Sequence, residues 1–140
     1  MTTSSLTARA GAASSFHPGR FLRGAWAVDA AGSAATAAGM IALSGPIAAW
    51  TGLSTAFLVG CALLFVPYVA LLAWLARRDR VARTVAWLPV ELNVAWGAVC
   101  LAIAATTATT AWGTAFLAVH VAWGLGFAAL QFLGVRRSTA

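Results

Sequence analysis

The segment Trp87-Leu-Pro-Val-Glu-Leu-Asn-Val-Ala-Trp96 places a proline, a carboxylate and an amide inside a run that is otherwise apolar enough to cross a bilayer. A charged side chain at the centre of a membrane span costs roughly 2.5 to 3.5 kcal/mol on insertion scales, so such residues usually face other helices or a water-filled cavity. Glu91 therefore predicts a bundle of membrane-spanning helices that pack around buried polar groups.

The composition of the whole chain supports this class. Hydrophobic residues make up 61% of the 140 residues, charged residues 9%, and the mean hydropathy is +0.86. Soluble domains average about 45 to 50% apolar and about 25% charged residues. Spans of about 20 residues leave room for four crossings with short loops and for no second domain. We expect an all-α, four-helix transmembrane bundle.

The segments between the apolar runs set the expected boundaries. Residues 1–20 are rich in Ser, Thr, Ala and Gly, which predicts a disordered cytoplasmic tail before a transmembrane domain over residues 21–137. A secretory signal peptide is the competing interpretation, but Asp29 interrupts its apolar region. Ser44-Gly45-Pro46 should break the first helix, and Ser54 should cap the second. The four spans are expected at about 21–43, 54–76, 84–105 and 111–135.

Arginine predicts the topology. All nine basic residues are arginines, and they lie in the N-terminal tail and helix start, in the loop around residues 77–83 and at Arg136-Arg137. The other two loops contain none. Because cytoplasmic loops carry an excess of Lys and Arg, both termini and the middle loop are expected in the cytoplasm of a cell with an inner membrane.

Polar residues in the spans suggest where a site would lie. Counted from the nearest arginine at about 1.5 Å per residue, Asp29, Tyr68, Glu91 and Asn93 all lie roughly 9 to 15 Å into the cytoplasmic half. We expect a candidate intramembrane polar site formed by Asp29, Tyr68, Glu91 and His120. The residues expected to act in helix packing and hydrogen bonding are Ser33, Thr36, Asn93 and Gln131.

Two functions agree with this pattern. The polar groups could fix helix packing in a structural or accessory membrane protein, or they could form the site of a proton-coupled carrier or ligand-binding protein that acts as a homo-oligomer. Soluble-enzyme motifs such as GxSxG, HExxH and the P-loop are absent from the sequence, so we expect no enzyme, no cofactor and no metal. The expected partners are the lipid bilayer and either a second copy or a larger membrane protein, with no nucleic acid.

Several of these segments together resemble a broad group of small four-helix bacterial integral membrane proteins. The resemblance is carried by residues 26–29, the Gly45-Pro46 break, Pro67-Tyr68, the arginine loop, residues 91–93 and the closing Leu130-Gln-Phe-Leu-Gly-Val-Arg-Arg137. It implies the four-helix architecture and implies no activity.

Overall fold

The structure is a computed structural model that describes residues 15–138. Within this range the elements are β1 (Ser15–Phe16), α1 (Arg20–Ala42), α2 (Ser44–Thr51), α3 (Thr55–Ala76), β2 (Val81–Ala82), α4 (Arg83–Thr106) and α5 (Ala111–Arg137). The fold is therefore helical, as predicted, apart from one two-stranded pairing. Residues 1–14 of the expected disordered tail lie outside the described range.

Three helices, α3, α4 and α5, are long and apolar enough to cross a membrane. The Ala- and Gly-rich α1 meets this test only together with α2, from which it is bent by 87°. Its 23 residues correspond to about 34 Å at 1.5 Å per residue, slightly more than the hydrocarbon core of a bilayer, which is about 30 Å thick. The chain thus has three or four candidate spans, which indicates a multi-pass membrane protein.

Local sequence signals explain where helices begin and end. The Ser54 hydroxyl accepts a hydrogen bond from the Phe57 amide at 3.1 Å, so it caps α3 as expected. Gly52 follows the last residue of α2 and caps it, and its φ of 75° lies in the left-handed region that glycine adopts without strain. The break between α1 and α2 falls at Leu43, beside the predicted Ser44-Gly45-Pro46 segment.

The four long helices pack unevenly. Helix α1 packs closely along α3, and α4 along α5; α1 also contacts α5, whereas α3 and α4 make little contact. Two apolar clusters fill the interior. One includes Leu22, Trp26 and Leu75, and the other includes Met40, Leu58 and Leu117. Because the two clusters lie at opposite ends of the helices, the layer between the clusters is left for other residues.

The arginine-rich helix ends lie together. Ser15–Phe16 pairs antiparallel with Val81–Ala82, and the Phe16 side chain is only 2% exposed. The Arg23 guanidinium forms an ion pair with Asp79 at 3.0 Å. This part of the expected disordered tail is therefore ordered against the middle loop, because the apolar Phe16 side chain packs into the nearby cluster.

The opposite end is closed by contacts between α2 and the start of α5. The Thr110 amide donates to the Thr51 carbonyl at 3.2 Å, and the Thr110 hydroxyl donates to the Trp50 carbonyl. A Cβ added at Gly113 would fall on the Thr51 carbonyl oxygen. Glycine therefore permits the close approach of the two backbones.

Glycine also sets the spacing of α5 from its other neighbours. A Cβ at Gly124 would lie 3.0 Å from the Asn93 carbonyl oxygen of α4, and one at Gly134 would lie 2.8 Å from a methyl carbon of Leu22 on α1. Gly113 and Gly124 are 11 residues apart and so lie on nearly the same face of α5, whereas Gly134, ten residues further on, is turned by about 80° toward α1.

Candidate functional site: a buried carboxylate beside a cavity

Asp29 occupies the layer between the two apolar clusters. It lies on α1 four residues after Ala25 and four before Ser33, on the face that α1 buries, and its side chain is fully inaccessible to solvent. Such burial is costly for a charged group unless neighbours donate hydrogen bonds to it. The groups around Asp29 therefore decide what it can do.

Four side chains donate hydrogen bonds to the Asp29 carboxylate. Oδ2 accepts from the Tyr68 hydroxyl at 2.6 Å, from Gln131 Nε2 at 2.7 Å and from Asn93 Nδ2 at 3.0 Å. Oδ1 accepts from the Ser33 hydroxyl at 3.2 Å. We call Asp29 and these four donors the Asp29 cluster. It takes at least one residue from each long helix.

The hydrogen bonds match an ionised carboxylate, which only accepts. All four donors are neutral, and none of the arginines in residues 15–138 forms an ion pair with Asp29. The negative charge is stabilised by dipoles alone, without a neutralising cation from the part of the chain that the structure describes. The cluster thus holds a carboxylate among neutral hydrogen-bonding groups in an apolar surrounding.

The helices bring these donors together for simple geometric reasons. Asn93 lies on the buried face of α4 with Pro89, Val90 and Gly97. Its backbone carbonyl is the atom that approaches Gly124 of α5. Gln131 follows seven residues later on the same face of α5 and receives a second, longer bond from Asn93 Nδ2, 3.4 Å from Gln131 Oε1. Close α4–α5 packing therefore positions both amides.

Glu91 does not join this cluster, contrary to the expectation from the sequence. Its side chain is exposed and makes no hydrogen bond or ion pair with any residue between 15 and 138. Residues two apart on an α-helix point about 160° away from each other. Since α4 buries Asn93, Glu91 must face outward, and the buried polar site has one carboxylate where two were expected.

His120 lies apart from Asp29. Its Nδ1 is 2.8 Å from the Phe116 carbonyl, and because a carbonyl only accepts, this nitrogen carries the proton. Nε2 is then an acceptor, and it is buried without a hydrogen-bond partner among the described residues. The His120 ring packs against the Phe116 ring with centroids 4.3 Å apart. The expected polar site is therefore divided between the Asp29 cluster and a separate histidine.

A cavity of about 510 Å³ connects the two. All four long helices line it. Its polar lining residues are Ser33, Thr36, Tyr68, Asn93 and His120, and its remaining walls are apolar or aromatic. Asp29 itself is behind this wall, in contact with Ser33, Tyr68 and Asn93. Thr36, expected to act in packing, contributes to the cavity wall.

Three aromatic walls of the cavity, Phe65, Trp96 and Trp123, were not expected from the sequence. The Phe65 and Trp96 rings meet edge to face with centroids 5.1 Å apart. Trp123 lies over the backbone of Gly32 on α1. The sequence did contain a signal for the two tryptophans. Most tryptophans of the chain lie near predicted span ends, where membrane proteins favour them, whereas Trp96 and Trp123 lie within predicted spans.

Within residues 15–138, no group of three or more His, Cys, Asp or Glu side chains could hold a metal ion. Cys61 and Cys100 are free and buried. No protein-family model, curated protein sequence or solved structure matches this chain.

Proposed function

We propose that this chain is a small four-helix protein of a bacterial inner membrane that binds one lipophilic small molecule in the cavity beside the Asp29 cluster. The observation that carries the proposal is the cavity itself. Its volume of about 510 Å³ lies within the range of roughly 300 to 1,000 Å³ of small-molecule sites, and its apolar walls with a few convergent polar groups are typical of them.

The route into the cavity supports a ligand that arrives through the bilayer. Helices α3 and α4 form two of its walls and make little contact with each other. Leu64 on α3 and Val99 on α4 line the cavity and are 67% and 46% exposed. A lipophilic molecule can therefore enter sideways between these helices without crossing a polar surface.

The orientation in the membrane is part of the proposal. Arginines of α1, of the loop before α4 and of the end of α5 lie at one end of the bundle, where Gly19 and Ser138 approach to 3.5 Å. The positive-inside rule assigns this end to the cytoplasm. Both termini are then cytoplasmic, which requires α1 to serve as the fourth span.

The Asp29 cluster has a structural role in this proposal. Its carboxylate is saturated by four neutral donors and joins all four long helices, so it fixes their relative positions next to the cavity. A proton-coupled carrier needs a carboxylate that exchanges its proton with water. The complete burial of Asp29 therefore favours a binding protein over such a carrier.

Native mass spectrometry with a neutral lipophile, N-phenyl-1-naphthylamine, tests ligand binding. Ala95 lines the cavity, whereas Ala98, three residues later on α4, is exposed and does not. We expect a one-to-one complex with the wild type and with Ala98→Trp, and its loss in Ala95→Trp, in which the indole fills the cavity. Equal binding to all three proteins would contradict the proposal.

A second candidate, an accessory role in contact with another membrane protein or a second copy, is favoured by Glu91. Exposure of a carboxylate to lipid tails costs free energy, so an exposed carboxylate on a membrane-spanning helix suggests that another protein chain covers this surface. Light scattering in mild detergent tests it. A larger assembly that dissociates in Glu91→Leu would support the accessory role, and a monomer in both proteins would exclude it.

A further inference from the structure

Three side chains of the cavity wall bind Asp29, and they have no N–H or O–H group left to donate to a ligand: Ser33, Tyr68 and Asn93. The hydroxyl protons of Ser33 and Tyr68 are directed to Asp29. The two amide protons of Asn93 are directed to Asp29 and to Gln131. These three side chains can therefore offer a ligand only the lone pairs of their oxygen atoms.

Aromatic rings line the cavity beside these polar groups. Phe65, Tyr68, Trp96 and Trp123 all line the cavity. The faces of aromatic rings carry partial negative charge and attract cations within about 6 Å of the ring centroid, tryptophan most strongly. A cation in this cavity would have such rings on α3, α4 and α5.

The charge of Asp29 acts on the cavity from behind this wall. The carboxylate is one hydrogen bond away from three lining side chains, and no arginine lines the cavity within residues 15–138. Because surrounding protein and lipid screen charge weakly, an unneutralised carboxylate at this distance strongly favours positive charge in the cavity. A like charge would be repelled for the same reason.

We infer that the ligand is a lipophilic monocation, such as a tertiary or quaternary amine with an aromatic or branched body, and that Asp29 supplies the charge that selects it. This inference rests on the proposed function and specifies its ligand class. Asp29 acts here as a positioning and charge-bearing residue that does not touch the ligand. The aromatic walls supply the contact.

Two ions of the same shape and opposite charge test the inference. Binding of radiolabelled tetraphenylphosphonium and tetraphenylborate to the detergent-solubilised full chain can be measured by equilibrium dialysis. For the wild type we expect saturable binding of the cation, at least about tenfold tighter than that of the anion, which corresponds to about 1.4 kcal/mol. Ala95→Trp should abolish the cation's binding.

Variants assign the selectivity to particular groups. Asp29→Asn should weaken cation binding about tenfold or more, whereas Glu91→Gln, which removes the other carboxylate of the helices, should leave it unchanged. Trp123→Leu should weaken it about fivefold through the lost cation–π contact. The comparison of the two ions on the wild type holds even where Asp29→Asn fails to fold.

The outcomes separate the inference from the proposed function. Equal binding of both ions, lost in Ala95→Trp, would overturn charge selection and leave lateral ligand binding in place. Unchanged cation binding by folded Asp29→Asn would overturn the assignment to Asp29. Absence of saturable binding of either ion, together with absence of the neutral complex described above, would overturn both.

Discussion

Asp29 and Glu91 are the two carboxylates on the long helices, and their surroundings are opposite. Asp29 is fully buried and accepts four hydrogen bonds, whereas Glu91 is exposed and accepts none from residues 15–138. Hydrogen bonds to a charged group contribute about 1.5 to 3 kcal/mol each, but an exposed side chain without partners contributes little. The same chemical change at the two positions should therefore have very different effects.

Asp29→Asn is expected to lower the free energy of unfolding by at least about 2 kcal/mol, because an amide nitrogen would face donors that are left without an acceptor. Glu91→Gln should change it by less than about 0.5 kcal/mol. Thermal or denaturant unfolding in detergent micelles measures both. Similar losses in the two variants would contradict the arrangement of the Asp29 cluster.

Tyr68→Phe removes the shortest hydrogen bond to Asp29 and leaves the ring in place. We expect a loss of about 1.5 to 3 kcal/mol in the free energy of unfolding. A double-mutant cycle with Asp29→Asn isolates the pair, and the coupling energy should exceed about 0.5 kcal/mol. Strict additivity of the two changes would show that the hydroxyl does not act through Asp29.

At the level of helices, the close approach of α5 to α4 depends on one missing side chain. In Gly124→Ala the new Cβ would meet the Asn93 carbonyl oxygen at 3.0 Å, so α5 must shift and disturb both amides of the Asp29 cluster. We expect a loss of about 1 to 3 kcal/mol in unfolding free energy. Gly126 is the matched control, since a Cβ there meets nothing within 4 Å.

Gly126→Ala should be neutral or should stabilise α5 by up to about 1 kcal/mol, because alanine is the better helix former. Gly124→Ala and Gly126→Ala each add one methyl group to α5, at positions two residues apart. A loss of stability in Gly126→Ala as large as that in Gly124→Ala would rule out close helix contact as the cause.

The short pairing of β1 with β2 should also stabilise the bundle, through Phe16. Phe16→Ala removes a ring that is 2% exposed and packs with Leu22 and Trp26, so we expect a loss of about 3 kcal/mol. Phe21 is 50% exposed, and Phe21→Ala should have a much smaller effect. Chemical denaturation of both variants measures the difference, and equal losses would exclude a specific role for the pairing.

The sequence was sufficient for the helices and for the common level along the bundle at which Asp29, Tyr68 and Asn93 meet. Apolar runs, Ser54 and the Gly45-Pro46 break predicted the helix boundaries to within a few residues. The distance from the nearest arginine placed Asp29, Tyr68 and Asn93 at similar depth. These features depend on local composition and on the fixed rise of a helix, so they need no knowledge of neighbouring elements.

The face that each helix buries could not be predicted in the same way. Glu91 and Asn93 point to opposite sides of α4, and only the packing of α4 on α5 decides which of them is buried. The cavity depends on α3 and α4 remaining apart, which is a property of four helices together. Phe16 belongs to a segment whose composition favours disorder, and its burial follows from a partner 65 residues away, Val81.

For the whole molecule, the proposed orientation has a direct test. A reporter enzyme that is active only outside the cytoplasm should be active when fused after Thr51 or Thr107 and inactive when fused after Ala140. The physical reason is the confinement of arginine to one end of the bundle. Activity of the Ala140 fusion, or inactivity of the fusion after Thr51, would contradict the proposed orientation.

The gap between α3 and α4 has a consequence for how affinity is measured. A molecule that reaches the protein through this gap is first dissolved in the surrounding amphiphile, so its effective concentration is its mole fraction there. Added detergent dilutes the molecule even when the volume of water is constant. Dissociation constants expressed per litre should therefore rise in proportion to detergent, whereas those expressed per micelle should stay the same.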